Sequence, residues 1–109
     1  MVKITNSNFD EVVLDSEQPV LIKMTAPNCA PCRVLNPLLV KMKKAYPHIL
    51  FCECDISKNM PLATDLEIRS VPTTMIFYQG ELVGRVQGIY KEVVIRAVLG
   101  KFDHLKGKV

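Results

Sequence analysis

Apolar and polar positions along the chain switch between two periods, and Pro, Gly and Asn punctuate the switches. Residues 2–5 read as a short strand. Residues 7–15 (Ser-Asn-Phe-Asp-Glu-Val-Val-Leu-Asp) predict a helix, with Asn6 or Ser7 as its N-cap and acids in its early turns. Residues 19–26 are apolar except for Lys23 and Thr25, a pattern that suits a strand covered on both faces. Residues 30–46 predict a helix with apolar positions at Val34, Leu35, Leu38, Leu39 and Met42, kinked at Pro37. Its end carries Lys41, Lys43 and Lys44, read as a solvated face. Residues 49–56 form a second buried strand and residues 58–68 a weaker helix. Val71-Pro72-Thr73 breaks the chain before a strand at 74–78, and Gln79-Gly80 signals a tight hairpin into a strand at 81–87 that Gly88 ends. Residues 91–102 close as an amphipathic helix, with Val94, Ile95, Val98, Leu99 and Phe102 on one stripe. A polar tail at 103–109 is expected to fray.

The element order is therefore βαβαβαββα. Strand–helix–strand units imply parallel pairing through right-handed crossovers, and the last hairpin adds antiparallel strands. The expected class is α/β, a central mixed sheet of about five strands with helices on both faces.

Composition narrows the function. At 109 residues the chain is expected to form a single domain, 1–109. With 49% hydrophobic and 23% charged residues it is not a disordered chain, and its longest apolar runs fall short of a membrane span of roughly 20 residues. The net charge of +3 is spread along the chain and argues against a nucleic-acid partner. The N-terminus turns polar too early for an export signal, so a cytoplasmic location is expected. In that setting four cysteines read as reduced thiols or a redox motif rather than a disulfide framework.

Cys29-Ala30-Pro31-Cys32 falls where a buried strand ends and a helix begins. A thiol there faces unpaired backbone N–H groups and the positive end of the helix dipole, and both stabilise a thiolate. An ordinary cysteine, with a pKa of about 8.5, is only about 3% thiolate at pH 7. Spacing i, i+3 brings the two sulfurs within bonding reach, and Pro31 sits in the first turn, where its missing N–H is no loss. Cys29, at the exposed end, is expected to attack a substrate disulfide, and Cys32, one turn inward, to resolve the mixed disulfide. Two other readings of the pair are inert core cysteines and half of a zinc site. The zinc reading needs a second ligand pair, and Cys52 and Cys54 are expected to face opposite sides of their strand as small buried hydrophobes. No metal site is therefore assigned. His48 and His104 are expected in loop or tail and receive no chemistry.

With Pro37 eight residues after the first cysteine, Val71-Pro72-Thr73 before the hairpin, Gln79-Gly80-Glu81 and Gly88, the chain resembles the thioredoxin family over nearly its whole length. The resemblance implies a three-layer fold with five strands and four helices. It implies reduction of protein disulfides by dithiol exchange, with the Cys29–Cys32 disulfide as the redox centre and no bound cofactor. A separate thioredoxin reductase, a flavin enzyme using a nicotinamide cofactor, would regenerate the dithiol, and a monomer is expected. A nucleophile pKa of about 7 is a value borrowed from thioredoxins themselves. The resemblance also implies a cis bond at Pro72, which would lie against the cysteines. Val71, Pro72 and Gly88 would border a substrate groove in which an extended segment pairs with the Val71 backbone. The alternative is a non-catalytic interaction subunit that uses the fold as a scaffold.

The chain departs from the family around the motif. Ala30 replaces the glycine of Cys-Gly-Pro-Cys, and Asn28 and Thr25 stand where tryptophans are usual, in a protein without tryptophan. Asn28, Ala30 and Pro31 should therefore present a more polar docking surface. Where the family keeps a buried Asp facing a Lys, this chain has Lys23 and Glu53, the reverse polarity. Two opposite buried charges offset each other's desolvation, so Lys23 and Glu53 are expected to pair beneath the cysteines and tune Cys32.

Overall fold

The five strands are β1 (Val2–Lys3), β2 (Val20–Thr25), β3 (Leu50–Asp55), β4 (Thr73–Tyr78) and β5 (Glu81–Gln87), in a computed structural model that describes residues 1–106. They lie in the order β1-β3-β2-β4-β5. β1 and β2 both pair parallel to β3, while β4 runs antiparallel to β2 and β5 antiparallel to β4. The mixed sheet follows from connection length: helical crossovers return β2 and β3 in the same direction, and a two-residue turn reverses the chain between β4 and β5. In that turn Gln79 (φ 53°) and Gly80 (φ 81°) are both left-handed, the pairing that matches the twist of a tight hairpin.

The central strands are covered on both faces. Val20, Leu21, Ile22 and Met24 each expose 0%. On one face Leu21, Phe51 and Ile76 pack under Leu35, Leu39 and Met42 of α1 (Ala30–Ala45) and Ile95 and Leu99 of α3 (Glu92–Leu99). On the other, Val20, Ile22, Met24, Cys52, Cys54 and Phe77 meet Phe9, Val13 and Leu62. Cys52 and Cys54 thus share a face, against the sequence expectation, because residues two apart in a strand point the same way.

The helices differ from the sequence reading in extent. The first is a π-helical turn over Asp10–Leu14 rather than a helix over 7–15, and no side chain caps it. Asn6 is drawn elsewhere: its Oδ1 accepts the N–H of Leu62 at 3.0 Å in α2 (Met60–Asp65), and its own N–H donates to Asn59 Oδ1 at 2.9 Å. α2 is shorter than the predicted 58–68 at both ends: Ile56–Lys58 forms a separate 3-10 turn, with Asp55 accepting from Ser57 N–H, and the chain leaves the helix after Asp65, with Glu67 at a φ of 56°. α1 continues past Pro37, the position of the expected kink, without a break in the helix. Val34 and Val94, predicted on core stripes, are 59% and 42% exposed. α3 passes into a 3-10 turn over Gly100–Leu105 that buries Phe102 and takes in Asp103–Leu105, the start of the tail expected to fray. The remainder of that tail, residues 107–109, lies outside the described residues. His48 stands in the turn between α1 and β3, a loop position as expected, yet it is buried, its ring tilted against Tyr46.

Candidate active site

β2 ends at Thr25, and the chain turns through Pro27 and Asn28 before α1 starts. Asn28 has a φ of 59°, a left-handed conformation that asparagine tolerates better than most residues. That turn presents Cys29 as the N-cap of α1, in extended backbone geometry. Its Sγ accepts the backbone N–H of Cys32 at 3.2 Å, so the sulfur occupies the place an N-cap oxygen ordinarily takes. The sulfurs of Cys29 and Cys32 are bonded, with Cα atoms 5.3 Å apart. Cys29 is half-buried and Cys32 is 2% exposed, so one sulfur meets solvent and the other is sealed behind it. Asn28, Ala30 and Pro31 are exposed around them.

The Val71–Pro72 bond is cis. Pro72 immediately precedes β4, whose Thr73 lies opposite Met24 near the end of β2 and opposite Gln87 of β5. Pro72 therefore sits at the same end of the sheet as the turn into Cys29. Its carbonyl accepts from Gly88 N–H at 2.8 Å. Gly88 has a φ of 76° and open space where a Cβ would stand, so the glycine serves backbone conformation and not a close approach. Among the described residues no backbone hydrogen bond involves Val71.

Lys23 and Glu53 are direct register partners on β2 and β3. Lys23 is 2% exposed and its Nζ lies 3.7 Å from Glu53 Oε2. Two further residues complete the cluster. Lys3, on β1 and in register with Glu53, donates to Glu53 Oε1, and Lys23 Nζ donates to Asn36 Oδ1 on α1. Glu53 is only partly buried. It borders two clefts, one of about 480 Å³ shared with Lys3, Thr25 and Pro27, and one of about 270 Å³ shared with Asn36, Leu39 and Val40. Burial drives the Lys23 pKa below its usual value, and the Glu53 charge only partly offsets this. Burial acts on Glu53 in the opposite sense, yet the hydrogen bond and charge of Lys3, with the charge of Lys23, hold its carboxyl below the ordinary range.

The expected pair thus exists, but as part of a four-residue cluster, and the sequence reading missed Lys3 and Asn36. Asn36 could have been found from its spacing: it stands four residues after Cys32 and so shares a helix face with it. Cys52 and Cys54 lie on the other side of the sheet, and burial pushes the Cys52 thiol up to about 12 and raises that of Cys54. Among the described residues no three His, Cys, Asp or Glu side chains gather to hold a metal ion, and no helix is long and apolar enough to cross a membrane.

Comparison with known proteins agrees with this geometry. The Thioredoxin family model matches residues 1–101. A thioredoxin of Synechocystis is 34% identical over 101 residues, covering 92% of this chain and 94% of its own. Thioredoxin M5, chloroplastic, of rice is 33% identical over 103 residues, and the chain spans 60% of its length. Among solved structures, a chain from a study of the thiol resolving mechanism in yeast mitochondrial 1-Cys peroxiredoxin via glutathione/thioredoxin systems superposes with a TM-score of 0.84. It is 24% identical, with 93% of this chain and 94% of that one covered.

Proposed function

The chain belongs to the thioredoxin family and is a thiol–disulfide oxidoreductase, and from that premise we propose how its residues divide the work. The carrying observation is the Cys29 sulfur at the N-cap of a 16-residue helix, with Cys32 buried one turn behind it. Once reduced, Cys29 is the nucleophile: N–H groups and the helix dipole favour its thiolate. It attacks one sulfur of a protein disulfide, the substrate S–S bond breaks, and the second substrate sulfur leaves as a thiolate. Cys32 then attacks Cys29, forming the Cys29–Cys32 bond and releasing the first substrate sulfur. Two electrons pass to the substrate, and the two cysteine protons end on the two substrate thiols.

The substrate segment lies in a groove bordered by Asn28, Ala30, Pro31, Val71, Pro72 and Gly88, where the unpaired Val71 backbone supports strand addition. Lys23 and Glu53, sealed or half-sealed under the sheet's α1 face, set the electrostatics felt by Cys32. The exchange invokes no bound cofactor, because the dithiol itself carries the electrons. A thioredoxin reductase restores the dithiol, and the chain works as a monomeric single domain over 1–109 in the cytoplasm. The buried unpaired thiols Cys52 and Cys54 suit such a reducing compartment, although the rice relative is chloroplastic by name. The test is reduction of insulin disulfides with a chemical reductant as electron source. The native chain should catalyse it, Cys29→Ser should fall to background, and Cys32→Ser should accumulate a mixed disulfide. Full activity in the double serine variant would sink the reading.

A further inference from the structure

The Lys23 ammonium is a fully buried charge, the side chain being 2% exposed, and Glu53 is not its dedicated partner. Lys3 holds Glu53 Oε1, leaving Lys23 to face Oε2 at 3.7 Å, beyond ordinary hydrogen-bond length. The direct acceptor of the Lys23 ammonium is the neutral carboxamide of Asn36. Asn36 belongs to α1, four residues beyond Cys32 on the same helix face. The buried cation is therefore tied to the helix that carries the buried cysteine, while its counter-ion sits on a neighbouring strand at the mouth of two clefts.

We propose that Asn36 is a positioning residue for the resolving step, holding the Lys23 ammonium against α1 so that its charge favours the Cys32 thiolate. The proposal rests on the reading of Cys32 as the resolving thiol. A neutral acceptor suits this task, because a carboxylate in its place would neutralise the cation it holds. The other charges near the ammonium are Glu53 from β3 and Lys3 from β1. On β4 the register partner Thr74 is uncharged and bonded to the buried Tyr90 hydroxyl at 2.9 Å, and on α1 itself Arg33 is exposed. In the step so assisted, the Cys32 thiolate forms a bond to Cys29 Sγ, the bond from Cys29 to the substrate sulfur breaks, and the electron pair leaves with that sulfur. The Cys32 proton passes to solvent and from solvent to the leaving thiolate.

The experiment measures alkylation rate against pH in a Cys29→Ser background, where Cys32 is the reactive site thiol. Adding Asn36→Ala or Asn36→Asp should lower the Cys32 rate at pH 7 about threefold or more by raising its pKa. Asn36→Gln, which keeps the acceptor, should recover most of the loss. The same substitutions in a Cys32→Ser background should leave the Cys29 profile in place, because the helix terminus and not Lys23 serves that sulfur. An unchanged Cys32 profile in Asn36→Ala, beside a shifted one in Lys23→Met, overturns the positioning role alone. Equal shifts at both thiols also overturn it, as general damage to α1. An unshifted profile in Lys23→Met overturns the tuning by Lys23 together with the proposal. Failure of the native chain to reduce insulin is a separate failure, that of the underlying exchange reading.

Discussion

At the scale of single residues, the buried lysine and the half-buried glutamate both make the folded chain more stable as pH rises, in separate windows, the glutamate by gaining a contribution and the lysine by losing a penalty. Glu53 has a folded pKa held below its unfolded value of about 4.3. Its contribution is fully present above that unfolded value and is lost as pH falls through the lower folded one. Lys23 has a folded pKa depressed mainly by burial, so the unfolded chain holds the proton more tightly. Its penalty is full below the folded pKa and fades as pH rises toward the unfolded value of about 10.4. Urea unfolding from acid to alkaline pH should therefore separate two variants. Glu53→Gln should be less stable than the native chain at pH 7, with the difference closing in acid. Lys23→Met should match or exceed native stability at pH 7, since Glu53 keeps Lys3, and its advantage should shrink in alkali. A Lys23→Met chain much less stable at pH 7 would show that the ion pair outweighs the desolvation. The charge reversal itself was legible from two positions in the sequence. The third charge was not, because Lys3 meets Glu53 only through the pairing of β1 with β3.

At the scale of elements, short helices here depend on side chains from elsewhere. α2 has six residues, far too few to stand alone, and its N-cap Asn59 makes no capping bond within it. The missing acceptor comes from Asn6, 56 residues earlier in the chain, which bonds Leu62 N–H. Asn59 in turn accepts from Asn6 N–H and donates to the Asp55 carbonyl at 2.9 Å, so one pair of asparagines ties the segment after β1 to the segment after β3. Asn6→Ala should cost about 1 kcal/mol, the usual worth of an N-cap. The check is a lower urea midpoint with an unchanged denaturant slope. Equal stability would show that water replaces the asparagine. The first predicted helix, a π-helical turn in the structure, lacks a side-chain cap: Asn6 serves another helix, and Asn8 Oδ1 accepts Thr5 N–H at 2.7 Å. α1 was far more legible. Its sixteen residues carry Leu35, Leu39 and Met42 at core spacing, enough buried contact to run through Pro37.

At the scale of the whole molecule, the redox state of one four-residue loop is coupled to folding. Closing Cys29 to Cys32, three positions apart, restricts the unfolded chain. For so short a loop the chain-entropy account gives about 2 kcal/mol. The oxidised form should be the more stable by that order in urea unfolding with and without reductant. Coincident curves would mean that ionisation of the reduced Cys29 at the helix terminus makes up the difference. The sequence by itself determined what is local or periodic. The order of strands and helices, the hairpin at Gln79-Gly80, and a cysteine at the start of a helix all follow from neighbours within a turn or two. Tertiary structure decided what depends on distant partners. It placed Asn6 over α2, put Lys3 on Glu53, tied Asn36 to Lys23, and buried His48. The physical reason is that spacing along the chain reports which face a side chain takes, whereas a hydrogen bond or ion pair depends on which face of another element comes to meet it.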